Sequence, residues 1–518
     1  MVGDAAPPGA YPPGPEDGSA ILRRLPDELV RFLRLPRPVS LLVRGAPGTG
    51  RSLLARAILE AIDGHCLVLT DEASEGTRNL ARAAPASWQA APGRSLFENG
   101  AAGFGPDGRL RLGPPDSTTS DRWTGLVVDT WDSLVDSASG QRRRGSMSGP
   151  DSERSLFAHL ARSADRLVAV AGIGRTTSIE YLVDGIIETV QTHEDDRTER
   201  WLRFVKLRDV ELAGSSYPFT LTGGRFRAFP IYPTAPASQS YFRLDPDPDP
   251  SARGLWPGSA DYARLFGRLV RGTLTLLECD RRSSVDVQLS LVSALVFSGV
   301  VNGGRVVFVP PPTLFPDEIW AQAQSFIPPE LMARLAPQLR EKVRILSHVP
   351  PETTDPAFRS VLFPLHHSDP GPGILSTVQE TNREFGSGPS ADSPLPRFPG
   401  LAAFAHESPD GRPNLELLFI GGLVAAAREL ESGYTPEALA AIIQRDLNAT
   451  PLHVFVVAWE EEPLVRELYG LATTHLRLVS RHGRYFVQGL RPWTENRVLL
   501  PPDESRKDSS PFELVPLS

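Results

Sequence analysis

Eight consecutive residues, Gly45-Ala46-Pro47-Gly48-Thr49-Gly50-Arg51-Ser52, have the types and spacing that hold a phosphate. Glycines let the backbone curl through angles that side chains resist, so that successive N–H groups converge on an anion. A helix that starts where the run ends adds a partial positive charge of roughly +0.5 at its N-terminus. Ser52 is placed to bind Mg2+ through its hydroxyl. One position departs from the P-loop pattern. Arg51 stands where a lysine would act as a compact point charge on the β- and γ-phosphates of ATP. Two readings stay open: replacement of lysine by arginine with ATP binding intact, or a nucleotide-binding protein that hydrolyses slowly or not at all.

Other residues extend this chemistry. Leu126-Val127-Val128-Asp129 is an apolar strand ending in a carboxylate, where Asp129 would hold the Mg2+ directly or through water. Asp132, three residues on, is either part of the site or a first-turn helix acid. Thr70-Asp71-Glu72 ends the strand after the loop's helix, and a carboxylate there can polarise an attacking water. Glu72 is the first choice and Asp71 the second, against a polar turn that starts the next helix. Lys206 and Arg208 share one side of a strand, with Leu207 on the other; a solvated strand face explains them nearly as well. Arg175-Thr176-Thr177 is either a phosphate contact or a capped turn. Arg142-Arg143-Arg144 reads first as a solvated loop, with DNA or an acidic partner as alternatives. His366-His367 has no partnering Cys, Asp or Glu spacing and reads as loop rather than metal site.

These side chains need elements to position them. Val39–Val43, Cys66–Leu69, Leu126–Val128 and Leu167–Val170 are short apolar strands, and Leu54, Ile58 and Ile62 fall on one helical face between the first two. Strands alternating with helices predict a mostly parallel sheet covered on both faces. Ala84–Thr119 and Ser137–Asp151 are expected to be loops. From Ile186 to Arg227 the pattern changes to hairpins: Ile186–Val190, Trp201–Lys206, Phe219–Leu221 and Arg225–Phe229. Pro233–Pro257 reads as a linker. The second half repeats the order of the first: Thr273–Leu277, a helix over Val285–Phe297, Arg305–Val309, Leu415–Ile420, His453–Trp459 and a closing hairpin, Leu476–Ser480 with Tyr485–Leu490. The expected division is a disordered tail over 1–20, a P-loop domain over 21–232, a proline-rich linker over 233–258, a degenerate α/β copy over 259–500 and a polar tail over 501–518, with a flexible insertion at Gly371–Gly400.

Composition sets the outer limits. A chain of 518 residues suffices for about two to three domains, and 41% apolar with 22% charged residues is ordinary for a globular protein. A formal net charge of -8 argues against a nucleic-acid-coating role. Lys206, Lys342 and Lys507 are the only lysines. Cys66 and Cys279 each sit in an apolar run and read as buried thiols. No apolar run is long enough to cross a bilayer and no N-terminal segment reads as a signal peptide, so the expected address is cytoplasmic.

The run from Leu25-Pro26 through Gly45–Ser52, together with Val127-Val128-Asp129-Thr130-Trp131-Asp132, resembles the RecA/KaiC-like ATPases. Within that group it is most similar to the archaeal gas vesicle regulators of the GvpD type. Glu180–Ile186, Lys206-Leu207-Arg208 and Tyr217-Pro218-Phe219 are similar to the end of a KaiC-type domain. The resemblance covers about residues 21–230 and is faint beyond. It implies a RecA-like P-loop fold, ATP phosphates held by Gly45–Ser52, metal held by Asp129 and Ser52, and water activated by Glu72. Lys206 and Arg208 would reach the γ-phosphate of a neighbouring subunit, which implies self-association. In GvpD-like proteins an arginine-rich segment accompanies repression of a transcriptional activator, and Arg142–Arg144 is a loose counterpart.

In the second half the loop position reads Cys279-Asp280-Arg281-Arg282-Ser283-Ser284. Its glycines are gone and Asp280 would repel phosphate. Phe419-Ile420-Gly421-Gly422 lacks a counterpart of Asp129, and Leu490-Arg491 echoes Leu207-Arg208 with Gly489 in place of the lysine. The expected function is Mg-ATP-dependent control of a protein partner; the alternative is a DNA-associated RecA-type ATPase.

Overall fold

Val39-Ser40-Leu41-Leu42-Val43 is apolar along its length because it becomes the central strand of a sheet covered on both sides. The computed structural model describes residues 24–62, 66–70, 88–92, 102–104, 110–112, 122–129, 131–135, 150–173, 178–194, 196–231, 247–249, 252–301, 305–309, 333–335, 337, 343–347, 362–364, 416–421, 435–449, 452–500 and 513–517. Its contacts divide the chain into two compact units, the first running to Pro230 and the second over Ile231–Pro516.

The first unit holds eleven strands: β1 (Val39–Gly45), β2 (Cys66–Thr70), β3 (Trp88–Pro92), β4 (Ala102–Phe104), β5 (Leu110–Leu112), β6 (Trp123–Asp129), β7 (Ala164–Gly172), β8 (Gly185–Glu194), β9 (Arg197–Leu207), β10 (Ser216–Thr220) and β11 (Arg227–Ala228). Nine form one sheet, in the order β11-β10-β9-β8-β1-β7-β6-β2-β3, and β4 pairs with β5 apart from it. From β8 through β1 to β3 the pairing is parallel, and β9 to β11 continue it antiparallel. Helices α1 (Asp27–Leu33), α2 (Arg51–Glu60) and α3 (Pro150–Ser163) flank the sheet. Alternate side chains of each strand go to opposite faces. Leu41, Val43, Val127 and Val168 pack with Phe32, Leu54 and Ile58. Leu42, Leu126, Val128 and Leu167 pack with Leu156, Phe157 and Leu160.

The expected strands at Val39, Cys66, Leu126 and Leu167 and the hairpins after Ile186 are present. The stretch Ala84–Thr119, read as loop, carries β3, β4 and β5 instead. β3 joins the sheet edge by a parallel ladder from Cys66–Trp88 to Thr70–Pro92. Main-chain bonding alone can hold such a strand, so a run containing Gln89 and Pro92 gives no apolar signal, and Pro92 is tolerated because the strand is an edge.

The second unit repeats this plan with β12 (Thr273–Cys279), β13 (Arg305–Val309), β14 (Val343–Ser347), β15 (Leu362–Pro364), β16 (Glu416–Gly421), β17 (Leu452–Trp459), β18 (Ala472–Arg481), β19 (Arg484–Arg491), β20 (Arg497–Leu500) and β21 (Glu513–Pro516). The order β15-β14-β13-β16-β17-β12-β18-β19-β20-β21 matches the first sheet strand for strand, with β15 added at one edge. Helices α4 (Ala260–Phe266) and α5 (Val285–Val301) pack on one face, and α6 (Pro436–Ala449) with α7 (Pro463–Leu468) on the other. His482 and Gly483, both at positive φ, make the two-residue turn between β18 and β19. Asp247 and Leu255, inside the stretch read as a linker, are held within this unit: Arg268 grips the Asp247 carboxylate and Leu255 bridges to Leu269.

Two details show how deep the repeat goes. Arg44 of β1 pairs with Glu188 of β8 at 3.5 Å, and Glu278 of β12 pairs with Arg477 of β18 at 3.4 Å, the same register positions with charges exchanged. Arg166 opens the β7 side of the β1 ladder opposite Val39 and donates to the carbonyls of Leu33, Leu35 and Arg37. Its counterpart opposite Thr273 is His453, whose Nδ1 lies 3.0 Å from the Val270 carbonyl. Each side chain ties the sheet to the segment leading into its central strand. Among the described residues, no helix is long and apolar enough to cross a membrane.

His453 makes the fold pH-sensitive. Burial pushes its imidazole down to about 4 from 6.5, and its Nε2 has no partner among the described residues. The unfolded chain takes up this proton near 6.5 while the folded chain resists until about 4. Stability from this residue is therefore complete above the upper value, falls between the two and levels off below. At about 1.4 kcal/mol per unit the loss reaches about 3 kcal/mol. Urea unfolding of the second unit at pH 7 and pH 4 should show this loss in the wild type, and His453→Gln should show a shallower dependence.

Candidate functional site

Gly45 is the last residue of β1 and Arg51 the first of α2, so the glycine-rich run is a strand-to-helix junction. β1 lies between β7 and β8, with Gly45 opposite Gly172 on one side and Thr189 on the other. A Cβ on Gly45 would sit 2.1 Å from Thr189 Oγ1 and 2.7 Å from Thr49 Oγ1, so only glycine fits. Gly48 at φ 80° and Gly50 at φ 90° occupy left-handed backbone. Thr49 is buried and pins the turn. Its amide and hydroxyl both donate to the Ala46 carbonyl, at 3.3 and 2.8 Å, and the hydroxyl lies 2.7 Å from that of Thr189. Ala46, Pro47 and Gly48 are exposed. The amides of Gly48, Gly50, Arg51 and Ser52 find no acceptor among the described residues. Unpaired donors at the start of a ten-residue helix are what an anion meets there.

The Ser52 hydroxyl donates to Asp129 Oδ1 at 3.1 Å, across from the end of β2, whose Thr70 pairs with Asp129. Burial raises the Asp129 carboxyl above its ordinary range, while the Ser52 hydrogen bond and the Arg51 charge work the other way. A hydroxyl beside a desolvated carboxylate suits a hard divalent cation. Arg51 Nη1 donates to the Ala171 carbonyl, at the end of β7 beside the turn, at 2.6 Å. The next amide, of Gly172, donates to Asp132 Oδ2 at 2.8 Å. Asp132 sits in the first turn of the helical stretch 131–135, and its carboxylate clamps the end of β7. Trp131, fully buried, donates to Glu153 Oε1 at 2.9 Å, and Glu153 Oε2 accepts from the Ser178 amide and hydroxyl.

Lys206 and Arg208 lie elsewhere on the sheet. Lys206 pairs with Ile186, which pairs with Leu42, so both are level with the middle and start of β1 and two strands away from it. Lys206 Nζ donates to the Val183 carbonyl at 2.6 Å and the Glu180 carbonyl at 3.4 Å, and burial together with Arg208 lowers its ammonium. Arg208 lies 3.8 Å from Asp184. Burial works against the Asp184 carboxylate, yet the Ser40 hydroxyl and amide and the Arg37 guanidinium outweigh it and hold it low. The second unit repeats the lysine's device. His475, the counterpart of Ile186, pairs with Arg491, whose Nη1 donates to the Tyr469 and Ala472 carbonyls. Arg491, not Gly489, is therefore the counterpart of Lys206; a bulge in both hairpins shifts the count.

The second unit's loop keeps the scaffold and fills it. Both connections run five residues, 46–50 and 280–284. The Ser283 amide donates to the Asp280 carbonyl as Thr49 does to Ala46, and the Ser283 hydroxyl donates to Leu478, the counterpart of Thr189. Here three of the four equivalent amides, of Arg282, Ser284 and Asp286, are taken. The Asp280 carboxylate accepts from Arg282 and Ser480, and the Ser284 amide donates to the Tyr485 hydroxyl at 3.3 Å.

No family model matches the chain. Among curated proteins of Halobacterium salinarum, Protein GvpD2 is 28% identical over 312 residues, 56% of this chain and 62% of that protein. Protein GvpD1 is 29% identical over 236 residues, 42% of each chain. The chain is similar to GvpD. It spans less than two thirds of the length of either GvpD relative.

Asp71, Glu72, Arg142–Arg144, Arg175–Thr177, His366, His367, the 371–400 insertion and the 1–20 tail lie outside the described residues. Ala171, Gly172 and Thr189, which frame the loop, carry no chemistry by residue type; a glycine ending an apolar strand was the one available sign.

The close packing ranks the loop glycines. Gly45→Ala meets backbone and side chain and should lower the unfolding free energy of the first unit by about 2 kcal/mol or more. Gly50→Ala meets Leu221 at 2.9 Å as well as left-handed backbone. Gly48→Ala has open space and should cost about 1 kcal/mol from its backbone angle alone. Denaturation midpoints that rank Gly48→Ala as the worst of the three would contradict this geometry.

Proposed function

We propose that the first unit is a RecA-like P-loop domain that binds Mg-ATP at Gly45–Ser52, and that its occupancy controls a protein partner, as in a GvpD-like gas vesicle regulator. The supporting observation is the Ser52–Asp129 pair, 3.1 Å apart, beside a turn whose amides lack acceptors. The residues present fit the group. Gly45 and Gly50 stand where a Cβ would collide with Thr189 or Leu221, Gly48 takes the left-handed backbone of the turn, and a desolvated carboxylate stands next to a hydroxyl. The amides of Gly48, Gly50, Arg51 and Ser52 would hold phosphate oxygens, and Ser52 with Asp129 would hold Mg2+. Mg-ATP supplies a transferable phosphoryl group and a charge on which a binding equilibrium can turn.

Arg51 does not act as the lysine's compact point charge, since one edge of its planar guanidinium is committed through Nη1 to the Ala171 carbonyl. Slow turnover follows, because the transferring phosphoryl group lacks its point charge. The second unit binds no nucleotide on this reading: its own Asp280 carboxylate and Tyr485 hydroxyl occupy amides of the loop. It is left to engage a partner. A cytoplasmic location and self-association through Lys206 and Arg208 belong to the same proposal. A switch that moves from mostly off to mostly on needs about 5 kcal/mol of differential binding, within reach of charge-assisted phosphate and metal contacts.

Isothermal titration should give micromolar affinity for Mg-ATP, strongly reduced in Asp129→Asn and absent in Gly50→Asp. Arg51→Lys should raise steady-state ATP turnover by about tenfold. A wild type that yields neither heat nor thermal shift with Mg-ATP ends the proposal.

A further inference from the structure

Arg51 and Asp132 grip the two polar ends of a single peptide unit. The Ala171 carbonyl accepts from Arg51 Nη1 at 2.6 Å, and the Gly172 N–H, on the other side of the same peptide bond, donates to Asp132 Oδ2 at 2.8 Å. Each clamp starts at the candidate site. Arg51 opens the helix that ends the glycine-rich turn. Asp132 lies three residues after Asp129, in the helical turn 131–135 that Glu153 fastens through Trp131. Gly172 leaves room on the Asp132 side: a Cβ there would stand 3.3 Å from Asp132 Oδ2, a tight contact, and 3.9 Å from Arg51 Nη1, an ordinary one.

We infer that the Ala171–Gly172 peptide is the element through which occupancy of the loop is read by the rest of the first unit, with Arg51 as the coupling residue. The inference rests on the nucleotide-binding reading above and assigns its regulation. A guanidinium presents five donors in a rigid fork, so one edge can stay on the Ala171 carbonyl while another meets a phosphoryl oxygen. Arg51 spends one nitrogen on Ala171, and the others take no acceptor among the described residues. A lysine ammonium, a compact point charge, holds a phosphate but not a carbonyl on the neighbouring strand at the same time. Arginine here exchanges phosphoryl chemistry for a mechanical link. Asp132 supplies the second half of that link, because a cation held at Asp129 fixes the turn that carries it.

Hydrogen exchange on the full chain, read in peptides covering 166–173 and paired with calorimetry on the same samples, tests this. Without nucleotide, Arg51→Lys should exchange the Gly172 region at least threefold faster than the wild type. Mg-ATP should slow exchange there at least threefold in the wild type and leave Arg51→Lys within twofold, although that variant still gives binding heat. Asp132→Asn should lose protection at Gly172 while binding nucleotide. Binding heat in the wild type without any change at 166–173 overturns the coupling and leaves the nucleotide site standing. An equal response in Arg51→Lys overturns the role of the guanidinium. Absence of heat in the wild type overturns both readings together.

Discussion

The register of β1 against its two neighbours fixes what the glycine-rich turn can become. Parallel pairing sets Gly45 beside Thr189 on β8 and Gly172 on β7. Thr189 then meets Thr49 and pins the turn from one side, while the end of β7 receives Arg51 and Asp132 from the other. A slip of one residue would move every side chain of β1 to the opposite face, putting Leu41 and Val43 where Leu42 belongs. The fit of Leu41 and Val43 into one core and of Leu42 into the other opposes the slip and so holds the turn in place. The core of this unit is not a neutral support for the loop: the same residues that bury β1 decide which backbone groups the loop can touch.

The second unit shows what is scaffold and what is chemistry. It keeps the strand order, the loop length, the turn bond from Ser283 to Asp280 and the hydroxyl contact to Leu478. It keeps the side chain that ties the adjacent parallel strand, β7 or β17, to the segment before the central strand, as His453 for Arg166, and the cation that caps the carbonyls before β18, as Arg491 for Lys206. What changes is the state of the amides. In the first unit they lack acceptors, and in the second Asp280, Ser284 and Tyr485 provide them. Buried or half-buried donors seek partners. A loop released from holding a ligand can settle by acquiring internal acceptors, and an aspartate at its first position is the nearest available anion. The preserved Lys206 device also gives that lysine a purpose inside its own chain, whatever a neighbour adds.

Much of this was legible in the sequence. Strands such as Leu126–Val128 and Leu167–Val170 announce themselves because they are buried on both faces, and the glycine spacing of 45–50 needs no tertiary information. Ser52 and Asp129 were paired on motif alone, and they meet. The failures share one cause. β3 is held by main-chain bonds to β2, and a main chain has no composition. Arg491 matches Arg208 by type, because a bulge that drops Val205 and Leu490 from the hairpin ladders is invisible to counting along the chain. The partner of Arg51 is a carbonyl oxygen 120 positions away, and every residue has one.

The two readings of Arg51 that the sequence left open assumed that the residue serves phosphate alone. Its geometry supplies a third consideration. An arginine drawn in by compositional drift has no reason to find a buried-strand carbonyl at 2.6 Å, nor the chain to place a glycine at the next position where any Cβ would crowd the clamp. The lysine scarcity of the chain explains why an arginine was available; it does not explain where its guanidinium goes. A side chain that bridges two elements restricts their relative motion, and a ligand that engages the same side chain changes that restriction. On the nucleotide-binding reading proposed above, such a site would trade catalytic power for communication.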